Sequence, residues 1–206
     1  MSIEQILTSA PVVPVVVIDR LEDAEPLAKA LFNGGLRALE ITLRTPIAAE
    51  AVKVMKQAVP EAYVGTGTVI DKATFDASIE AGADFMVSPG VNDELLALAS
   101  QSDTPFLPGA ATPSEVMRLA ERGFSFLKFF PAAAAGGPAM LKSIGGPLPG
   151  VKFCPTGGIS LETAPQYLSL DNVVCVGGTW MLDKTLIEQQ DWQAIEQLAR
   201  QASQLK

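Results

Sequence analysis

Eight short β-rich runs recur along the chain at roughly 20- to 25-residue intervals, and this rhythm limits the fold more than any single residue. They span Val12–Ile18, Ala38–Leu43, Tyr63–Val69, Phe85–Gly90, Pro105–Ala110, Phe126–Ala132, Val151–Gly157 and Val173–Gly178. Between them lie stretches with apolar residues three and four positions apart, the spacing of an amphipathic helix. These are Glu22–Gly35, Pro46–Pro60, Asp71–Asp84, Asn92–Gln101 and Thr112–Gly123, and Asp191–Lys206 closes the chain. Strands alternating with helices predict a parallel sheet, and eight repeats predict a (β/α)8 TIM barrel. The expected architecture is one domain over residues 1–206, with a helix ahead of the first strand. A doubly wound open sheet is the alternative.

Composition narrows the class. Of 206 residues, 48% are hydrophobic and 18% charged, which excludes a disordered chain. The net charge is −8 with no basic block, which argues against a nucleic-acid partner. The apolar run near the N-terminus is short and broken by Pro11 and Pro14, so neither a signal peptide nor a membrane span is expected. Cys154 and Cys175 sit inside apolar runs, at a spacing that suits neither a disulfide framework nor a zinc site. They read as buried reduced thiols of a cytoplasmic protein. Histidine is absent, so the commonest general base and metal ligand is unavailable.

One lysine, Lys128, interrupts the sixth run between Phe126-Leu127 and Phe129-Phe130. Burying an unpaired ammonium is costly, so its presence there needs a reason. The repeat supplies a partner. Gly35, Gly82 and Gly123 each precede a strand, and five residues onward stand Glu40, Val87 and Lys128. Glu40 and Lys128 thus occupy equivalent places in two copies of one unit. Alternate strand residues point into a barrel, and barrel sites gather at the carboxyl ends of the strands. The two charges can therefore converge on one cavity although 88 positions separate them. An exposed lysine has a pKa near ~10.4, and desolvation favours the neutral amine. A neutral amine attacks ketones to form a Schiff base, and a nearby carboxylate can move the protons. A buried ion pair that only fixes packing is the rival reading, and an anion-binding point charge is a third.

Arg44 closes the second run, where its planar fork suits a carboxylate or phosphate. Thr68 and Pro89 sit at comparable strand ends beside glycines. Thr156 ends the seventh run, followed by Gly157 and Gly158; Gly178 and Thr179 follow the eighth. Glycine lets backbone N–H groups approach an anion, and these two loops form the recurrent phosphate site of such barrels. Two tight turns would use the same residues.

Taken together and in order, PVVPVVVI, LEITLRT, VGTGTV, SPG, FLKFFPA, FCPTGGIS and VGGTW cover nearly the whole chain. The set resembles the 2-keto-3-deoxy-6-phosphogluconate (KDPG) aldolase family, whose members often also cleave 4-hydroxy-2-oxoglutarate (KHG). The resemblance implies a trimeric barrel and a class I aldolase that needs neither metal nor cofactor. It implies Lys128 as the Schiff-base lysine and Glu40 as general acid/base. Arg44, Thr68 and Thr156 would hold the pyruvate end, and Pro89 would line the same pocket. Gly157, Gly158, Gly178 and Thr179 would hold the phosphate of a phosphorylated 2-keto acid. The chain departs from the family pattern at Ala133, where glutamate often follows FPA, and at Thr179, where serine is frequent. An aldolase for the 6-phosphogalactonate epimer, a metal-dependent aldolase, a phosphosugar isomerase and a non-catalytic phosphometabolite-binding barrel are the competing functions.

Overall fold

The computed structural model describes residues 1–205; Lys206, the last residue of the predicted closing helix, lies outside the described residues. The strands are β1 Val12–Val16, β2 Ala38–Thr42, β3 Tyr63–Gly67, β4 Met86–Val87, β5 Phe106–Leu107, β6 Gly109–Ala110, β7 Phe126–Phe129, β8 Lys152–Pro155 and β9 Val176–Gly178. All eight predicted runs contain strand. The fifth is divided into β5 and β6 at Pro108, which has no N–H to give to a ladder. The helices are α1 Ile3–Leu7, α2 Ala24–Asn33, α3 Ala48–Ala58, α4 Lys72–Glu80, α5 Asp93–Ser100, α6 Pro113–Glu121, α7 Gly137–Gly145, α8 Ala164–Leu168, α9 Lys184–Glu188 and α10 Trp192–Ser203. Among the described residues, no helix is long and apolar enough to cross a membrane.

Every strand pairing is parallel. Six strands form one curled sheet in the order β5-β4-β3-β2-β1-β9, and three form a second in the order β6-β7-β8. Isolated parallel bridges join Phe153 to Val173 and Thr156 to Gly177, between the β8 and β9 segments. Both faces of these strands are buried, which is why they read as continuous apolar runs.

The period-two pattern separates two cores. On one face Leu39, Ile41, Leu127, Phe129 and Phe153 pack beneath the helices, in a cluster with Leu27, Leu31, Val52 and Met55. Each fully buried leucine or isoleucine there contributes roughly 1.5–3 kcal/mol. On the other face Val13, Ala38, Phe85, Val87, Leu107, Cys154 and Cys175 form a smaller cluster with Ile6 and Leu7 of α1. That short helix is fixed by a capping box, Ser2 with Gln5, and closes one end of the inner cluster.

Helix ends follow the glycine signal. Gly35, Gly82 and Gly123 have φ of +96°, +71° and +88°, the left-handed conformation that ends a helix cheaply only without a Cβ. Helix α10 docks on α2 by close backbone approach: a Cβ on Gly34 would lie 2.8 Å from the Glu196 carbonyl oxygen.

Candidate active site

Lys128 lies on β7 between Gly109 of β6 and Cys154 of β8; Glu40 lies on β2 between Val15 of β1 and Gly65 of β3. Their side chains meet across the inner core, with Lys128 Nζ donating to Glu40 Oε1 at 3.0 Å. Both residues are buried, Lys128 at 5% exposure and Glu40 at 3%. The Phe130 ring centroid is 5.5 Å from Nζ, a cation–π distance that also shields the amine from water. The equivalence of the two positions in the repeat therefore becomes a contact. The pairing also satisfies two charges that would each be costly to bury alone.

Glycines make the room. A Cβ on Gly67, in β3, would overlap Glu40 Oε1 and sit 2.7 Å from its Cγ. One on Gly65 would lie 2.5 Å from the Phe85 ring. One on Gly177 would crowd Thr156, 3.0 Å from its Cγ2. The sequence marks Gly67 only as a neighbour of Thr68; its packing against Glu40 is a three-dimensional fact with no local signal.

Thr156 follows Pro155, the residue paired with Phe129, and its hydroxyl is buried without a hydrogen-bond partner among the described residues. An unmet buried hydroxyl two residues after Cys154, the register neighbour of Lys128, is a place where a ligand oxygen would be stabilised. Arg44 and Thr68 come together: Arg44 Nε donates to Thr68 Oγ1 at 3.2 Å, from an exposed guanidinium. Thr68 has φ +63°, unusual for a threonine and worth roughly 1–3 kcal/mol of backbone strain. Among the described residues, neither Arg44 nor Thr179 hydrogen-bonds to the Lys128–Glu40 pair. Pro89 abuts Gly109, the register neighbour of Lys128, and lines a cavity of about 180 Å³ with Phe130.

The two glycine loops stand next to these strands. Gly157 and Gly158 have φ of +106° and +72°, so successive N–H groups can face one concavity. Backbone hydrogen bonds from Ala132 to the Thr156 carbonyl (2.8 Å) and from Ala133 to the Gly157 carbonyl (3.0 Å) tie this loop to the one after Lys128. Gly178 is buried against Trp180, while Thr179 is exposed. Thr179 lines a cavity of about 540 Å³ that reaches Val15, the register neighbour of Glu40, and Val17.

Cys154 and Cys175 are free and buried beside the pair. The Cys175 thiol is held well above the ordinary thiol range, first by its hydrogen bond with Cys154, then by burial and the nearby charges of Cys154 and Glu40. It stays protonated at neutral pH and offers no competing nucleophile.

A buried amine touching a carboxylate, with an unmet hydroxyl and two glycine loops nearby, is the equipment for imine chemistry on an anionic ketone. Comparison with known proteins points to the same chemistry. Residues 3–198 match the KDPG and KHG aldolase family. A 2-dehydro-3-deoxy-phosphogluconate aldolase from Pseudomonas aeruginosa is 48% identical over 97% of this chain and 91% of its own. The KHG/KDPG aldolase of Escherichia coli is 47% identical over 98% and 94%. A KDPG aldolase from Legionella pneumophila, solved with pyruvate captured as a covalent carbinolamine, superposes with a TM-score of 0.95. It shares 46% identity over 97% of each chain. With the family matched along almost all of its length, and the lysine–carboxylate contact in place, this chain belongs to the KDPG and KHG aldolase family.

Proposed function

We propose that the chain is a class I aldolase that cleaves KDPG to pyruvate and glyceraldehyde 3-phosphate, and KHG to pyruvate and glyoxylate. The observation that carries this reading is the buried 3.0 Å contact between Lys128 Nζ and Glu40 Oε1. The amine must shed a proton before it attacks, and Glu40 Oε1 is placed to take it. The Lys128 amine attacks C2 of the keto acid to give a carbinolamine. Glu40 donates the proton on which water leaves, and the iminium forms. Glu40, again a carboxylate, takes the proton of the C4 hydroxyl as the C3–C4 bond breaks. The bond's electrons pass into the iminium to form an enamine, and the aldehyde departs. Protonation at C3 and hydrolysis release pyruvate and the free lysine.

The remaining assignments are those the family resemblance implies, and two local observations support them. Arg44 and Thr68, joined at 3.2 Å, and the unmet hydroxyl of Thr156 bind the pyruvate carboxylate and neighbouring hydroxyls. Pro89 lines the pocket, and Gly157, Gly158, Gly178 and Thr179 bind the distal phosphate. We read the whole chain as one aldolase domain whose two sheets close into a (β/α)8 barrel. The bridges Phe153–Val173 and Thr156–Gly177, and the single-residue break at Pro108, support closure. We read the assembly as a homotrimer, in which a subunit contact covers exposed apolar groups such as Ile70, Ile79 and Met117. The two buried free thiols fit a cytoplasmic, reducing setting.

A substrate panel read by pyruvate release, coupled to lactate dehydrogenase, tests the function. Turnover of KDPG above its galactonate epimer is expected. Borohydride with pyruvate should place one adduct, on Lys128. No pyruvate from KDPG or KHG, or an adduct on another lysine, would overturn the reading. Light scattering at three chain masses supports the trimer, and a monomer or dimer rejects it.

Gly67→Ala probes the carboxylate without altering it. The new methyl must displace the Glu40 side chain, whose Oε1 accepts from Lys128. We expect kcat for KDPG to fall about 10²-fold, the order of a lost general acid/base. Gly150, with nothing within 4 Å of a built Cβ, supplies the neutral control as Gly150→Ala. Unchanged turnover in Gly67→Ala would remove Glu40 from the mechanism.

A further inference from the structure

Trp180 has no part in the assignments above, yet its ring occupies the space beside Gly178. Gly178 ends β9, paired with Pro14 of β1. A Cβ on Gly178 would overlap the Cζ3–Cε3 edge of the Trp180 ring and sit 2.8 Å from Cη2. The ring edge thus fills the space that a side chain at Gly178 would take. From there Trp180 packs against the helix-side core, and the Leu182 N–H closes the turn onto the Thr179 carbonyl at 2.9 Å. Indole Nε1 is buried without an acceptor among the described residues. Since no hydrogen bond holds this ring, packing alone fixes it, against the cost of an unmet donor.

We propose that Trp180 is the positioning residue of the phosphate site. Its ring clamps Gly178 from one side, so the Gly178–Thr179 peptide has a single orientation, with its N–H and the Thr179 hydroxyl turned to the substrate's distal phosphate. Glycine at 178 and tryptophan at 180 form one unit: the first lacks a side chain because the second fills that space. The proposal rests on reading this loop as the phosphate site.

The test separates the two layers. Trp180→Ala should raise KM for KDPG about tenfold or more, and weaken competitive inhibition by inorganic phosphate by a similar factor. Half-saturation by pyruvate in borohydride trapping should stay within about twofold, because pyruvate carries no phosphate. Gly178→Ala should raise KM for KDPG in the parent but far less in the Trp180→Ala background, where the ring it strikes is gone. Equal loss of pyruvate and phosphate binding in Trp180→Ala would mark a general structural role and overturn the proposal. Additive effects in the double variant would also overturn it. Thr179→Val tests the underlying loop: an unchanged KM for KDPG there sinks the phosphate reading itself. A raised KM in Thr179→Val with an unchanged one in Trp180→Ala sinks only the clamp. If Trp180→Ala does not fold, Gly178→Ala alone decides, since its methyl must displace the ring. An unchanged KM for KDPG would then reject the clamp.

Discussion

Lys128→Met is expected to lose cleavage altogether, with turnover of KDPG below about one ten-thousandth of the parent, the order of losses when a covalent nucleophile is removed. Methionine has a similar length and suits a core, so the packing around Phe130 and Cys154 is kept. No borohydride adduct should form with pyruvate. Stability has its own signature. Removing the amine leaves Glu40, at 3% exposure, without the partner that satisfies it. Breaking a buried pair from one side costs on the order of 3–5 kcal/mol. Adding Glu40→Gln in the same chain should recover most of that in urea unfolding, while activity stays absent. The rival view, a pair that only fixes packing, predicts the same instability but retained turnover. Activity in Lys128→Met, or an adduct formed elsewhere, would decide for the rival.

Glu40→Gln is expected to lower kcat about 10²- to 10⁴-fold, the range for removal of a positioned general acid/base. The amide keeps the shape and can still accept from Lys128 through its oxygen. Pyruvate should therefore still be trapped on Lys128, only more slowly, because dehydration of the carbinolamine has lost its proton donor. Trapping at the parental rate, with turnover reduced, would confine Glu40 to carbon–carbon cleavage. Parental turnover would remove it from catalysis.

Much of this could be read from residues in order, and the rest depends on contacts between distant ones. The eight runs were legible because parallel strands buried on both faces are continuously apolar, and Lys128 stood out against that background. Spacing from Gly35 and Gly123 paired it with Glu40 because each repeat sets the same length between helix end and inward-facing residue. Helix α7 was not legible. Its N-cap Gly136 and its first residue Gly137 both have positive φ, so the sequence there reads as a loop. Helices α8 and α9, five residues each, are too short for a period to emerge. Within the site, the Arg44–Thr68 bond joins residues 24 apart, and the Thr68 backbone conformation has no marker in a threonine. Trp180 reads as an ordinary core aromatic until its ring is seen beside Gly178.

Gly65, Gly67, Gly177 and Gly178 shape the interior by omission. Each is already the smallest residue available, so any substitution at these four can only shrink the chamber. Enlarging it for a bulkier substrate would require changes in the residues opposite, at Phe85, Glu40, Thr156 or Trp180, and one of those is the proposed acid/base itself. Substitutions meant to widen what this chain accepts are therefore better placed away from these four, at positions such as Val17 and Thr179 that line the neighbouring cavity.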